Sequence, residues 1–362
     1  MTDLSATFSP DWISVPGDTI LDLIEEKGWS QAEFARRIAY TTKHVSQLIN
    51  GKATITEDTA LKLEHVLGST ARFWLNREVQ YREVLARTTA LKRLEKDADW
   101  LRELPVSHMV KYNWINKYSS KAQQVSECLS FFGVASVESW RDQYAGPLAA
   151  FRASDAFEKK TGAVAAWLRQ GERVATKMAT APFNKQLFKA TLIELRTLTA
   201  ETDPQVFVPR LVDLCATAGV AVVLEPAPVG CPASGATRWM AKDKALLMLS
   251  LRYKTNDHLW FSLLHEAGHL LLHGKKMLFL EMKGLDSEQE NEANKFAGDF
   301  LIPPAQLERL PMLGHTTAEI TTFAKAIRIA SGIVVGRMQN EHILPWATPL
   351  NALKVTYAWD KA

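Results

Sequence analysis

The sequence predicts a mainly helical fold with a small α+β part, and three observations lead to this prediction. Capped helical patterns fill residues 17–87 and continue from 91 to about 200, whereas strand-like pieces appear only within 206–305. A chain of 362 residues is long enough for two or three domains. We therefore expect a helical N-terminal domain, a helical spacer, an α+β domain and a C-terminal tail, over residues 1–90, 91–205, 206–340 and 341–362.

The composition is that of an ordinary globular protein, with 47% hydrophobic and 23% charged residues. A net charge of +3 is too small to indicate nucleic-acid binding by itself, so any basic surface must be local. The three cysteines are widely spaced and form no CxxC pair, which argues against a disulfide framework and against a thiolate zinc site. The N-terminus lacks the pattern of a secretory signal, and no apolar run approaches about 18 residues. We expect a cytoplasmic protein that does not enter a membrane.

Two short helical patterns joined by a turn lie near the N-terminus, which is the plan of a helix-turn-helix. Ser30 begins the first as an N-cap, with Glu33 in position to complete a capping box, and Gly51 ends the second. From Lys27 to Lys52 there are five basic residues and one acid. This is the local basic patch that the charge of the whole chain conceals.

If the two helices bind DNA, the polar residues of the helix-turn-helix that are not expected in its core have two roles. The predicted major-groove residues are Thr42, Lys43, His44 and Gln47, and those predicted near phosphates are Gln31, Asn50 and Lys52. A plain helical bundle with a solvated polar face accounts for the same spacing, since such patterns are common among helical proteins.

Residues 16–85 resemble the HigA-type antitoxin branch of the XRE, or lambda-repressor-like, family. The resemblance rests on SQAEFAR, VSQLINGK and the downstream ALKLEHVLG and FWLN. It implies a five-helix DNA-binding domain that acts as a homodimer on a double-stranded DNA operator. The sequence departs from the family pattern at Tyr40, Lys43 and His44, so the operator does not follow from the resemblance.

The stretch HEAGHLLLH, residues 265–273, carries the clearest chemical pattern of the chain. His265 and His269 are four residues apart on a predicted helix, so both imidazoles can reach one zinc ion. Glu266 lies at the margin of the same face, where it can accept a proton from water rather than bind the metal. Leucines on the opposite side indicate a buried helix, in which unpaired imidazoles are costly without a metal. A lone HExxH also occurs by chance, so a structural helix is the alternative.

A catalytic zinc site needs a third protein ligand. His273 lies about 12 Å along the helix axis from His265, so one ion cannot bind both, and we interpret His273 as a supporting residue at the helix C-terminus. The segment SEQENEANKFAGDFLIPP predicts a following helix that has an apolar stripe and carries three glutamates. Glu292 lies at the edge of that stripe and is the first candidate for the third ligand, and Glu288 and Glu290 are not excluded.

The segments WFSLLHEAGHLLLHGK and ENEANKFAGDFLIPP resemble the ImmA/IrrE family of zinc metallopeptidases, which have a gluzincin-like α+β domain. The resemblance implies zinc ligands at His265, His269 and Glu292, with Glu266 as the catalytic base. Residues 234–261 are similar to the strands that precede the active helix in proteins that fuse an XRE domain to this peptidase.

Together the two resemblances imply a DNA-binding transcriptional regulator that carries a zinc-dependent endopeptidase. Its expected protein substrate is a repressor of the XRE type. Two alternatives remain at this stage. In one, the protein is a HigA-like antitoxin or repressor whose zinc domain senses or binds a partner without turnover. In the other, the metal only stabilises the core.

Three further features lead to expectations about the substrate and the remaining helices. Residues 245–252 could pair with an extended substrate at a sheet edge. Arg252, Tyr253 and His258 are candidates to stabilise the oxyanion. The second helix-turn-helix spacing, over 316–341, is interpreted as core helices because its exposed positions are not notably basic.

Overall fold

The structure is a computed structural model that describes residues 14–145, 161–274, 278–281 and 288–359. The predicted mainly helical fold with a small α+β part is confirmed. The chain divides into two compact units between Lys96 and Asp97. The domain limits that the sequence suggests after residues 90, 205 and 340 stay predictions. The first 13 residues, which lack a signal pattern, lie outside the described residues.

The N-terminal unit consists of the five helices that the resemblance implies. They are α1 (Pro16–Glu26), α2 (Gln31–Arg37), α3 (Thr42–Ile49), α4 (Glu57–Leu67) and α5 (Ala71–Leu94). Ser30 begins α2 as predicted, since its hydroxyl accepts a hydrogen bond from the backbone N–H of Glu33 at 3.1 Å. The Glu33 carboxylate does not complete a capping box and forms ion pairs with Arg36 and Arg37 instead.

A small apolar core holds these helices together. Its buried members include Ile20, Phe34, Val45, Leu48, Leu63 and Trp74. Val45 and Leu48 face this core from α3, so the opposite face of α3 is left to solvent.

The C-terminal unit begins with helices that carry no chemical motif. They are α6 (Val106–Lys111), α7 (Lys121–Phe132), α8 (Val137–Trp140), α9 (Thr161–Lys177), α10 (Lys185–Leu198) and α11 (Pro204–Thr217), with a 3-10 helix at Glu95–Arg102 and a π-helical turn at Arg141–Ala145. Helix α9 packs against the sheet that follows, so part of the predicted spacer supports the domain that carries the metal motif.

A four-stranded sheet forms the centre of this unit. Its strands are β1 (Val220–Leu224), β2 (Gly235–Ala241), β3 (Lys244–Leu249) and β4 (Phe279–Glu281), in the order β1-β3-β2-β4. Strand β3 is parallel to β1, while β2 is antiparallel to both β3 and β4. The expectation that residues 245–252 pair with a substrate is wrong, because neighbouring strands occupy both edges of β3. In the described sheet the edge strands are β1 and β4.

Helix α12 (Asn256–Leu272) carries the HEAGH motif and is buried along most of its length. It packs against strands β2 and β3 and against two helices, α13 (Glu288–Leu301) and α16 (Ser331–Asn340). The other elements are α14 (Pro304–Leu307), α15 (Thr317–Ala326) and 3-10 helices at Leu310–Met312 and Pro349–Leu353. Ile320, Phe323 and Ala324 are buried in the core of this unit, which confirms that residues 316–341 form core helices.

The described part of the predicted tail is packed into this unit. Thr356 forms a β-bridge with Thr255, just before α12. The Lys354 ammonium lies 2.6 Å from the Asp257 carboxylate, and both side chains are largely buried. No periodic pattern indicates this packing in advance, because the contacts join residues far apart in the chain.

The three cysteines are free and buried, and burial raises the pKa of each thiol to about 12. Among the helices that the structure describes, none has both the length and the hydropathy needed to cross a membrane.

Candidate metal centre

The two motif histidines project from α12 toward one point. The Nε2 atoms of His265 and His269 are 3.0 Å apart, and both side chains are about 1% exposed. They share one face because four residues make slightly more than one helical turn. The opposite face, with Leu263, Leu264, Leu270 and Leu271, is buried in the core of the unit.

A carboxylate from the first turn of α13 completes this group. Glu290 Oε2 lies 3.2 Å from Nε2 of His265, and Glu290 Oε1 lies 3.4 Å from Nε2 of His269. One nitrogen from each histidine and one oxygen of Glu290 all lie within 4.8 Å of one another. Two imidazoles and one carboxylate are the donor set of a catalytic zinc site.

The expectation that Glu292 faces the histidine pair is corrected by the structure. The Glu292 side chain is 55% exposed, and its Oε2 contacts Nε2 of His273 at 2.9 Å. The buried face of α13 is centred near Ala297, with Ala293 beside it. At about 100° per residue, Glu290 lies about 20° from Ala297 around the helix, and Glu292 lies about 140° from it. Glu288 is exposed as well.

Small residues explain why α12 and α13 approach so closely. A Cβ placed on Gly268 would lie 3.1 Å from the Phe296 ring and 3.3 Å from the Cα of Ala293. Gly268 therefore leaves room for the backbone of α13. The close approach brings the first turn of α13 to the imidazoles.

Hydrogen bonds on the far side of each imidazole direct its Nε2 toward Glu290. His265 Nδ1 lies 2.9 Å from Asn294 Oδ1, an acceptor, so the proton is on Nδ1. His269 Nδ1 lies 3.0 Å from Nδ1 of His273. Two imidazole nitrogens and a carboxylate therefore converge in a buried space, where a proton on a histidine or a metal ion supplies the positive charge that the carboxylate needs.

The pKa values of these groups agree with that requirement. Burial opposes the charged form of His265, but its hydrogen bond to Glu290 and the charge of Glu266 outweigh burial and raise the pKa of His265 to about 9. Burial would raise the pKa of Glu290, yet hydrogen bonds with both histidines lower it to about 2. Burial and the neighbouring His265 lower the pKa of His269. In the absence of metal, a proton on His265 supplies the positive charge, and a cation can take its place. The residues therefore fit a zinc ion.

Glu266 lies beside this group without joining it. It is fully buried, and its carboxylate oxygens have no hydrogen-bond partner other than the Thr237 hydroxyl in the described part of the chain. Burial raises the pKa of Glu266 well above its usual value. A carboxyl group held in this way has a high affinity for a proton, which is the property that a general base needs near neutral pH.

A cleft of about 630 Å³ opens onto the group. His265, Glu290 and the half-buried Glu281 of β4 line it, together with Tyr253 and His258. Two of the three oxyanion candidates thus lie at the cleft. The third candidate, Arg252, is not among the described residues that line the cleft, and it donates a hydrogen bond to the carbonyl oxygen of Pro232.

The predicted DNA-contacting residues lie at the surface of the N-terminal unit. Those that are exposed are Gln31, Thr42, Lys43, Gln47, Asn50 and Lys52. His44 is half-buried, with its ring 4.5 Å from that of Tyr40. The Asn50 amide donates to the carbonyl oxygen of Ser46 at 2.7 Å.

Comparisons with known proteins identify two segments of the chain. Residues 20–74 match a family model described as helix-turn-helix, and residues 227–338 match a peptidase family model described as IrrE N-terminal-like domain. The chain joins a helix-turn-helix domain to an IrrE N-terminal-like domain. Both resemblances seen in the sequence are confirmed.

Individual relatives match the helix-turn-helix segment. The HTH-type transcriptional regulator YddM of Escherichia coli (strain K12) is 41% identical over 61 residues, which is 17% of this chain and 65% of the relative. The chain thus spans slightly less than two thirds of that protein. Two solved structures each cover 23% of the chain. One, from Nostoc punctiforme, is described as an antidote protein of a plasmid maintenance system (28% identity, 91% of its own length, TM-score 0.22). The other is an addiction module antidote protein of a HigA family from Coxiella burnetii (33% identity, 92% of its length, TM-score 0.21).

Two residues beside the metal group, Asn294 and Glu281, are not expected from the sequence. Glu290 is among the three expected glutamates but ranks below Glu292, although its spacing of seven residues from the buried Ala297 places it on the packed face of α13. Asn294 lies one turn after Glu290 and shares its face. Glu281 lies on a three-residue strand, which is too short to give a periodic pattern.

Proposed function

We propose that this protein is a DNA-binding transcriptional regulator that carries a zinc-dependent endopeptidase. The observation that carries the proposal is the convergence of His265, His269 and Glu290 beside the buried Glu266. The match of the same segment to a peptidase family supports hydrolysis as the purpose of this arrangement.

His265, His269 and Glu290 would hold the zinc ion. When bound, zinc supplies Lewis acidity, which polarises a peptide carbonyl and makes water easier to deprotonate. Glu266 accepts a proton from the attacking water on a carboxylate oxygen and passes it to the departing amine. The Thr237 hydroxyl is the one competing hydrogen-bond partner of Glu266 among the described residues, so a carboxylate oxygen stays available for this transfer.

The substrate is proposed to bind as an extended peptide along β4. This strand is an edge of the described sheet, and Glu281 at its end lines the cleft. An edge strand offers unpaired backbone N–H and C=O groups, which can add an extended segment as a further strand. Tyr253 and His258 line the same cleft and remain candidates to contact the reacting carbonyl.

The helix-turn-helix domain is proposed to bind a double-stranded DNA operator as a homodimer, with the exposed face of α3 in the major groove. The proposed substrate of the peptidase is a repressor of the XRE type. Cleavage of that repressor would release the genes that it controls.

A Glu266→Gln variant tests hydrolysis. We expect it to keep one zinc per chain and to lose peptidase activity, because an amide cannot accept the proton. The measurement compares protein N-termini in cells that express the wild-type or the variant protein. A matched Glu288→Gln variant, which changes an exposed carboxylate of α13, should generate the same N-termini as the wild type. If the wild type creates no N-termini that Glu266→Gln lacks, while both regulate transcription, the protein is a repressor or antitoxin without turnover.

A double variant, Lys43→Ala with Gln47→Ala, tests DNA binding. It should lose binding to DNA fragments selected by the wild-type protein from a random pool, and its zinc content should not change. Lys92→Ala removes an exposed lysine near the end of α5 and serves as the matched control. Unchanged binding by the double variant would contradict the proposed recognition face. Sedimentation of the wild-type protein with its selected DNA tests the proposed dimer.

A further inference from the structure

We propose that His273 and Glu292 form a positioning pair that orients His269 and sets its affinity for zinc. The inference rests on the proposed zinc site. It assigns a role to the third histidine of HEAGHLLLH and to a glutamate that does not face the metal group.

The three side chains form a continuous line of hydrogen bonds. His269 Nδ1 lies 3.0 Å from Nδ1 of His273, and His273 Nε2 lies 2.9 Å from Oε2 of Glu292. The His269 ring is also stacked on Phe279, with ring centres 4.1 Å apart and planes within 15°. His269 is therefore held by a ring on its face and by a hydrogen bond at its edge.

Only one arrangement of protons satisfies this line when Nε2 of His269 offers a lone pair toward Glu290. The proton of His269 must then be on Nδ1, where it is donated to Nδ1 of His273. His273 accepts at Nδ1, so its own proton is on Nε2. A carboxylate oxygen only accepts, and Glu292 receives that proton's hydrogen bond. An imidazole whose far nitrogen donates in this way is a better metal ligand.

The backbone at the end of α12 makes the contact possible. His273 is the C-cap residue and is extended, with φ −109° and ψ 166°, while its N–H still donates to the carbonyl oxygen of His269 at 3.1 Å. The chain leaves the helix at this point, and the His273 ring meets the outer edge of His269. This explains why His273 can support the site although it is too far along the axis to share a metal with His265.

The two members of the positioning pair differ in their exposure to solvent. The His273 side chain is only 5% exposed, whereas that of Glu292 is 55% exposed. The hydrogen-bonded imidazole is shielded from water, and the negative charge at the end of the line keeps most of its hydration. The pair therefore avoids the cost of burying a second carboxylate beside Glu290.

The test measures zinc affinity by competition with a chelator for four proteins. These are the wild type, Glu292→Gln, His273→Phe and the control Glu288→Gln. We expect His273→Phe to bind zinc about 10- to 100-fold more weakly, as is typical when the support of a metal ligand is removed. Glu292→Gln should show a smaller loss, because the amide oxygen still accepts from His273. The control should equal the wild type.

Two further measurements separate positioning from a general structural effect. Cobalt-substituted wild type and variants should show the same number of ligands in their visible spectra, since neither residue binds the metal. In protein labelled with ¹⁵N-histidine, His273 should carry its proton on Nε2, and Glu292→Gln should reduce the population of that form. Glu292 is exposed, so this variant keeps the test valid if His273→Phe does not fold.

The possible failures can be told apart. Absence of zinc binding by the wild-type protein would overturn the proposed function itself. Zinc binding by the wild type with equal affinities for all variants would overturn only the positioning pair. A His273 proton on Nδ1 would overturn it as well, because the line of hydrogen bonds would then be reversed.

Discussion

Gly235 lies so close to Glu266 that residue 235 has no room for a side chain. A Cβ on Gly235 would be 2.7 Å from both Cγ and Oε1 of Glu266. The first residue of β2 thus leaves the space that the buried carboxylate occupies. The sheet and the helix α12 fix the position of Glu266 together.

Gly235→Ala should therefore displace Glu266 and impair hydrolysis without removing zinc. A shift of about 1 Å in a catalytic group can cost about 100-fold in rate, and we expect a loss of that order. Peptidase rate and zinc content are measured on the same preparation. Gly274→Ala is the matched control, because a Cβ there meets nothing within 4 Å. Full activity of Gly235→Ala would show that Glu266 tolerates displacement.

Glu290→Gln should weaken zinc binding more than any change at Glu292. An amide oxygen carries no net charge, so a zinc ion held by His265 and His269 would lose its anionic ligand. We expect a loss greater than the about 10- to 100-fold typical of a residue that only supports a ligand. Zinc titration against a chelator measures it. The reverse order, with Glu292→Gln the more damaging, would restore Glu292 as the ligand.

Lys354→Met should destabilise the C-terminal unit. It leaves Asp257 buried without its cation, and breaking a buried ion pair in this way costs about 3–5 kcal/mol. Adding Asp257→Asn should recover part of the loss, since the uncompensated charge is then removed. Denaturant unfolding followed by tryptophan fluorescence measures both. Lys325→Met, at an exposed position on α15, should have little effect. Equal stability of Lys354→Met and the control would show that the pair contributes nothing.

Glu225→Gln should stabilise the protein at neutral pH more than at acid pH. Burial raises the pKa of Glu225 above its ordinary value, although a hydrogen bond from Gln170 opposes the shift. A carboxyl group with a raised folded-state pKa favours folding below its unfolded-state pKa of about 4.5, and that contribution is lost as pH rises through the folded-state value. The amide that replaces this carboxyl group does not ionise. The difference in melting temperature between variant and wild type should grow from pH 4 to pH 7.5, and a constant difference would contradict the prediction.

Local sequence patterns predicted the local structure well. Ser30 caps α2 because its hydroxyl needs only the neighbouring backbone N–H. His265 and His269 share a face because helical geometry alone decides it. Such features depend on residues a few positions apart, so they can be inferred from a short stretch of sequence.

The third metal ligand, a glutamate of α13, could not be identified from local sequence patterns alone. The apolar stripe of α13 includes the large residues Phe296 and Phe300, which place its predicted centre on their side of the helix, yet both are only partly buried. The fully buried residues on this face of α13 are instead the small Ala293 and Ala297, and the Cα of Ala293 lies next to Gly268 of α12. Which side of α13 meets α12 depends on both helices, and a wheel drawn for one of them does not contain that information.

The order of the strands in the sheet could not be predicted from the sequence either. The sequence shows β3 as an apolar strand but does not show that β1 and β2 flank it. For this reason the sequence places an extended substrate on what is an internal strand of the sheet. The same limit applies to Lys354, whose partner Asp257 precedes it by a long stretch of chain.

Residues 354–356 contact residues 255–257 at the start of α12, and these contacts, which we call the C-terminal clasp, have a consequence for protein synthesis. Val355 N–H donates to the Asn256 side chain across 99 positions of sequence. A growing chain therefore presents both histidines and Glu290 before the residues that secure the first turn of α12 exist. We expect the protein to cleave its substrate only after residues 354–356 have left the ribosome. Cleavage by a ribosome-bound chain arrested after Asn340 would show that the clasp is dispensable.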